Sequence, residues 1–409
     1  MTTLLSVNSY HYLRGGSDAV YFSHAALFEK HGWKNAFFSM QHPDNVSAAT
    51  EHLFAERVDY GHSNGLIDQL KSAARVIYSY DAKQKLGRLL DSIKVDIAHF
   101  HCIYHHLSPS VLVEAKSRRI PTVMTAHDLK IACPAYKMMH SGGVCESCKG
   151  GRVWNVVRNR CIKDNLLGSA VIMVESAVHK ALNLYDRHLD TIVAPSKFYQ
   201  AKLIEWGWSP HKIVHIPNFI EMPNDLRLHP PGTSFLYFGR LAPEKGLKTL
   251  IAAAALSGAR VRIAGTGPEE SVLRELARKT MADVTFLGFL SGEALHQEID
   301  ASRAIVLPSE WYENGPMSVI EAFARGKPLI GARIGGIPEL IVEGETGWSF
   351  RSGDKDDLAR VLGLVASLPD SDVARMGDAT YNFVQNNYTS QNYFKRTLEL
   401  YENLLSSPK

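Results

Sequence analysis

Short apolar runs alternate along this chain with segments whose apolar positions recur every three or four residues. Residues 4–7 predict a buried strand, a polar loop through Arg14-Gly15-Gly16-Ser17 follows, and residues 19–31 predict a helix carrying Val20, Phe22, Ala25, Ala26, Leu27 and Phe28. Further buried strands are expected at 96–100, 122–125 and 191–194, with Pro195-Ser196 opening a helix after the last. The rhythm restarts at residues 234–238, with strands at 260–264, 284–287 and 304–307 and helices at 246–255, 268–278, 292–299 and 317–325. Residues 393–405 predict a closing amphipathic helix. Strands alternating with helices imply parallel sheets. The stretch 216–232, with Pro217, Pro223, Pro230 and Pro231 and few apolar residues, is the expected join. The expected fold class is therefore α/β, with two doubly wound, Rossmann-like parallel-sheet domains facing across a cleft and ligands beyond the carboxyl ends of the strands. The domains are expected at 1–217, with a cysteine-rich insertion at 133–161, and at 218–385, with 386–409 packing back on the N-terminal domain.

A length of 409 residues suits two such domains, and 45% hydrophobic with 21% charged residues is the mix of a globular protein. Lys and Arg number 45 against 42 Asp and Glu, so the net charge of +3 implies no polyanion, and no nucleic-acid partner is expected. No run approaches the ~20 apolar residues of a spanning helix. The first residues lack a basic leader, which makes a cytoplasmic location the expectation.

The densest candidate chemistry is the segment from Pro308 to Ala322, where a strand leads through Glu313-Asn314-Gly315-Pro316 into a helix. Unsatisfied N–H groups at that helix start favour an anion. Glu313 and Glu321 are spaced so that both carboxylates can accept hydroxyl hydrogen bonds from one elongated ligand. The alternative makes Glu313 a capping residue and Glu321 a solvated charge. Arg240 and Lys245 stand five positions apart in Phe238-Gly239-Arg240-Leu241-Ala242-Pro243-Glu244-Lys245-Gly246, a strand-to-helix turn. Such a pair suits a diphosphate, Arg as a planar fork and Lys as a point charge; the alternative is a surface pair with Glu244. Gly265-Thr266-Gly267-Pro268 permits close backbone approach but lacks the third glycine of a dinucleotide fingerprint.

In order and spacing, Arg240 with Lys245, Gly265-Thr266-Gly267-Pro268, Phe286-Leu287-Gly288, and Glu313 through Glu321 to Gly335-Gly336-Ile337-Pro338-Glu339 resemble the retaining family-4 glycosyltransferases of the GT-B fold, over nearly the whole chain. The resemblance implies that Arg240 and Lys245 bind the diphosphate of a nucleotide-diphosphate sugar donor, that Glu321 holds its ribose and that Glu313 faces its sugar. It implies further that Asn314, Gly315, Pro316, Met317 and Ser318 line sugar and phosphate, and that the turn at Phe289 and Leu290 frames the base. Gly15 and Gly16 would form the glycine-rich loop, and His127 would stand near the donor sugar as a hydrogen-bonding or proton-carrying group. Two fixed cations and a helix start can stabilise the departing diphosphate without a metal. The expectation is a metal-independent transfer that retains configuration, with a saccharide or polyprenyl-linked saccharide acceptor in cell-surface polysaccharide or glycoconjugate synthesis. Asp354-Lys355-Asp356 is expected as an ordinary helix start rather than a metal site. Rival readings are an epimerase or hydrolase of the same fold and a non-catalytic sugar-nucleotide-binding scaffold.

Cys133, Cys145, Cys148 and Cys161 have spacing suited to a tetrahedral structural zinc, against a redox dithiol, disulfides or unpaired thiols as alternatives. His99, His101, His105 and His106 are too irregular for one metal; His99 is expected in the packed face of its strand and His101 at the cleft. Residues 166–189 are apolar at helical spacing, flanked or interrupted by Lys163, Lys180, Arg187 and His188. Packing on the N-terminal sheet is the plainer reading, and peripheral contact with anionic lipid at the inner face of the cytoplasmic membrane the sharper one.

Overall fold

A computed structural model of the chain describes residues 1–57, 66–222 and 229–406, and for 66–71 only the course of the helix. These divide into two compact units, one of residues up to 216 together with 394–406, the other within 217–393. Of the proline-bearing join, residues 223–228 lie outside the described residues.

The first unit is built on strands β1 (Thr3–Val7), β2 (Lys34–Phe38), β3 (Ile97–Phe100) and β4 (Thr122–Thr125), then a short antiparallel hairpin of β5 (Met139–His140) and β6 (Gly143–Val144), then β7 (Thr191–Ala194) and β8 (Ile213–His215). Its main sheet is parallel throughout, in the order β2-β1-β3-β4-β7-β8. The second unit carries β9 (Ser234–Phe238), β10 (Val261–Ala264), β11 (Val284–Gly288), β12 (Ser302–Leu307), β13 (Leu329–Ala332) and β14 (Gly347–Phe350), also parallel, in the order β11-β10-β9-β12-β13-β14.

Helices on both faces leave the inner strands no wet side, so β1, β9 and β12 are buried at every residue and are mostly apolar, with Thr3, Ser6, Ser234, Ser302 and Arg303 as the polar exceptions. In the second unit, helix Lys355–Ser367 buries Leu358, Val361, Leu362 and Val365, one stripe at helical spacing, in the same core as Leu250, Ile251 and Ala254 of helix Leu247–Ser257. Asp354 caps the first of these helices, accepting from the N–H groups of Asp356 and Asp357, each at 3.0 Å. The closing helix, Ser390–Ser406, sends Phe394 and Tyr401 into the first unit, where Tyr401 is fully buried beside Phe28 and Trp33.

Strand order positions the chemistry. In each sheet the winding reverses beside its first strand, between β1 and β3 and between β9 and β12, and connections there leave in opposite directions. The loops at the carboxyl ends of those strands are thus left open for a ligand.

Candidate active site

In the second unit, the chain leaves β9 through Gly239 and Arg240, makes a single 3-10 turn, Pro243–Lys245, and enters helix Leu247–Ser257 through the left-handed Gly246. This geometry carries the Lys245 ammonium back over the loop that follows β12. Its Nζ lies 2.6 Å from Glu313 Oε1, and the Ser309 hydroxyl donates to the same oxygen at 2.6 Å. Lys245 also sits 5.2 Å from the centre of the Trp311 ring. Burial alone would raise the Glu313 carboxyl, but Lys245 and Ser309 outweigh it and hold the group below its usual value, as an anion.

The backbone around Glu313 is held as firmly as its side chain. Gly336 donates its N–H to the Glu313 carbonyl at 2.7 Å. Gly335 is left-handed at φ +60, and a Cβ there would fall 2.5 Å from Glu313 N and 2.6 Å from Glu313 O.

Arg240 pairs with Glu244, which is buried while the guanidinium stays largely open. The surface-pair alternative therefore fails on the Glu244 side. The Glu244 carbonyl accepts from Glu310 N at 2.9 Å, and Thr249 Oγ1 donates to Glu310 Oε1 at 2.6 Å, so the β9 and β12 loops are tied together.

Glu321 lies on the helix Met317–Phe323 and is half-buried. Among the described residues it has no hydrogen-bond or ion-pair partner, and burial pushes its carboxyl up to about 7. It is not the solvated charge of the alternative reading. The helix is only seven residues long. What it offers an anion is therefore local: among the described residues, the N–H groups of Met317 and Ser318 find no acceptor, while Val319 N bonds Pro316 O. Asn314, Gly315 and Pro316 precede it half-buried, and the Gly315 carbonyl accepts from Asn218 at 3.1 Å.

Three other expected residues have different surroundings. A Cβ on Gly265, at φ +136, would lie 1.9 Å from the Gly239 carbonyl, so this glycine already serves close packing of two strand-end turns. Phe289 is 73% exposed, and Leu290 packs against the core of the unit.

The corresponding loop of the first unit follows β1. Asn8 is fully buried, accepts from Cys102 N and donates to Asp18, each at 3.0 Å, and Asp18 also holds Arg14. Gly15 stands before the helix Gly16–Lys30 with an extended backbone, and a Cβ there would meet nothing within 4 Å. Nothing inside the fold requires glycine at this position. His127 follows β4, half-buried, its Nε2 2.8 Å from Nδ1 of His101, and burial lowers its imidazole to about 4. His101 itself is fully buried. The expectation that it lines the cleft is corrected: its side chain is closed off from solvent and bonded to His127. His99 is buried as expected, bonded to Thr125 Oγ1 at 2.7 Å and to the Tyr401 hydroxyl, which also reaches His24 Nε2 at 3.0 Å. His106 turns instead to Tyr10, and His105 to Glu175. Sequence reasoning passed over Ser309, four positions from the Glu313 to which it donates, Asn8, which bonds both Asp18 and Cys102 N, and His24 and Tyr401, which meet from opposite parts of the chain.

The five cysteines are free thiols. Cys133, Cys145, Cys148 and Cys161 lie in one excursion, each within electrostatic reach of the other three. Backbone N–H groups of Met138 and Ala135 are directed at Cys133, and that of Val156 at Cys148, donors that would favour thiolates. Burial nevertheless pushes Cys148 up to about 12 and Cys161 to about 11. As they stand, no group of three or more His, Cys, Asp or Glu among the described residues is arranged to hold a metal ion. Zinc at these thiols would have to draw the sulfurs together and displace their protons, so its uptake would rise with pH. We expect metal analysis of the purified protein to find about one zinc per chain; no zinc, with four titratable thiols, rules the site out.

Residues 14–222 match the family model described as Glycosyltransferase Family 4, and residues 219–383 that described as Glycosyl transferases group 1. The chain is 28% identical over 359 residues to a sulfoquinovosyl transferase of Arabidopsis thaliana; the match covers 81% of this chain and 63% of that protein, so the chain spans less than two thirds of the relative's length. Among solved structures it resembles a sucrose-phosphate synthase from Thermosynechococcus elongatus, at a TM-score of 0.71 and 17% identity, with both chains covered in full. It also resembles the Anabaena protein HepE in complex with UDP-glucose, at a TM-score of 0.65 and 18% identity over 98% of this chain and all of that one.

Proposed function

The chain belongs to Glycosyltransferase Family 4, and on that premise we propose that it transfers a sugar from a nucleotide-diphosphate sugar to a saccharide or lipid-linked saccharide, with retention of configuration and without a metal. The observation that carries the reading is the Lys245–Glu313 pair, together with a half-buried Glu321 on the helix that follows the same loop, whose carboxylate has no partner among the described residues. Breaking the bond between the sugar carbon and the diphosphate oxygen leaves negative charge on the phosphate and positive charge on the sugar. Lys245 and Arg240 are the cations for the first, aided by the open N–H groups of Met317 and Ser318, and the fixed Glu313 carboxylate stands for the second and for sugar hydroxyls. The acceptor hydroxyl oxygen forms the new bond to the sugar carbon, and its proton leaves with the diphosphate. Glu321 suits the paired hydroxyls of a ribose, and Phe289 and Leu290 the base. The imidazole of His127, neutral at pH 7, can donate or accept one hydrogen bond to a sugar hydroxyl.

The test uses UDP-glucose, with GDP-mannose as the second probe. A carboxyl that titrates near 7 accepts both ribose hydrogens only when ionised, so affinity should rise about tenfold from pH 6 to pH 8. In Glu321→Gln that slope should vanish. Slow release of nucleotide diphosphate marks a transferase active on water; binding without release favours a scaffold, and failure of every nucleotide-diphosphate sugar to bind removes the reading.

A further inference from the structure

The helix Leu166–Ala181 sits in the fold with the polarity of its faces reversed. Its buried residues are Ser169, Ile172, Glu175 and His179, three of them polar. The two ionisable ones are provided for: Lys130 Nζ lies 2.6 Å from Glu175 Oε2 with both side chains almost fully buried, and His179 Nε2 lies 2.6 Å from the Ile77 carbonyl. The apolar stripe is left outside. Leu167 is 75% exposed, Leu166 53%, Val174 42% and Leu182, just past the helix end, 54%. These positions, with half-buried Ala170, Val171 and Val178 between them, follow one face for the whole length of the helix. Trp154, 56% exposed, begins the short helix Asn155–Arg158, which packs against the long one. Scattered exposed leucines are ordinary, but a contiguous stripe with a tryptophan beside it marks a contact surface.

Charge says what that surface meets. Arg152, Arg158, Arg160, Lys163 and Lys180 are exposed around the stripe, and Lys180 reaches the Gly151 turn. Among the described residues none of the five has a carboxylate partner, and Asp164 is the one exposed acid between 152 and 182. A protein partner would be expected to face apolar residues with apolar residues and each cation with an acid. A bilayer with anionic headgroups supplies both chemistries over a plane: acyl chains for Leu167, Val174 and Trp154, and phosphates for the cations. No described helix is long and apolar enough to cross a membrane, so the contact would be peripheral.

We propose that the outward face of the helix Leu166–Ala181, with Trp154 and its ring of unpaired cations, docks the protein on an anionic lipid surface. The inference does not depend on the transferase reading, although that reading gives it a use, since a lipid-linked acceptor would be met in the same plane.

The test is co-sedimentation of the full chain with phosphatidylcholine vesicles and with vesicles containing phosphatidylglycerol. Binding should require the anionic lipid and weaken several-fold between low and physiological salt. Leu167→Glu with Val174→Glu should lower it at least tenfold, and so should Arg160→Glu with Lys163→Glu; all four positions are open to solvent, so melting temperature and UDP-glucose binding should not change. Two results would overturn the proposal. One is wild-type protein that stays in solution with anionic vesicles. The other is a lipid-free dimer that Val174→Glu dissociates, which would assign the face to a second copy of the chain.

Discussion

Lys245→Ala should lower turnover of the sugar donor by roughly 10²–10³-fold, the scale on which one fixed electrostatic contact to a developing anion acts. The argument rests on what Lys245 does before any substrate arrives. Its ammonium is 2.6 Å from a Glu313 carboxylate that burial would otherwise protonate. On the proposed roles, removing it takes away a counter-charge for the diphosphate and leaves Glu313 with only Ser309 and Trp311 against burial, so that the carboxyl rises and its charge beside the sugar is weakened. Both effects fall on the chemical step. Donor titration should therefore show a smaller loss in binding than in the rate of nucleotide diphosphate release. Lys245→Arg should recover part of the charge but not the Glu313 geometry, because a planar fork does not substitute for a point donor at the end of a flexible stem. Wild-type rates in Lys245→Ala would remove this residue from the reaction.

The largest effect on stability is expected far along the sequence, at the Lys130–Glu175 pair. Both side chains are almost fully buried, and Lys130 also donates to the Pro134 carbonyl at 2.8 Å. Burial would raise the Glu175 carboxyl, but Lys130 more than compensates and brings it down to about 2. Lys130→Met leaves a buried carboxylate without its cation, which costs about 3–5 kcal/mol. For a unit of this size that corresponds to a melting temperature lower by roughly 10 °C. The double variant Lys130→Met with Glu175→Leu should recover most of the loss, because the unpaired charge is gone. The pH dependence has a definite sign. A carboxyl depressed in the folded state contributes stability above its unfolded value near 4.5, and that contribution is lost as pH falls from there towards 2. Thermal melts from pH 7 to pH 3 should show the wild type losing more than the double variant.

How legible this was differs between fold and site. The inner strands were plain because parallel sheets covered on both faces favour largely apolar runs, and Leu-Leu-Ser-Val, Phe-Leu-Tyr-Phe and Ala-Ile-Val-Leu are such runs. Besides the short hairpin of β5 and β6, four strands of the main sheets were not. β2 begins Lys-Asn, β14 begins Gly-Trp, β13 holds a glycine and β8 has three residues, so none presents an apolar run long enough to separate strand from helix or loop. At the site, chemistry-bearing residues stood out by type and spacing, but pairing did not. Lys245 and Glu313 are 68 positions apart and meet because β9 and β12 are neighbours in the sheet. Glu244 read as a surface charge because burial cannot be seen in a three-residue turn. Periodicity showed that residues 166–182 have an apolar face, but a period does not say which side of a helix the core takes. Here the buried Lys130–Glu175 pair occupies the inner side.

The closing helix has a consequence for how the protein comes into being. Tyr401 completes the hydrogen bonds of His24 and His99 in the interior of the first unit, although nearly 400 residues separate it from the start of the chain. A ribosome delivers the sheet of that unit long before it delivers Tyr401. Until then the nascent unit carries a gap lined by Phe28 and Trp33 where the tyrosine belongs. The second unit has all of its strands before Tyr401 is made, so of the two units the one whose sheet is begun first is the one completed last.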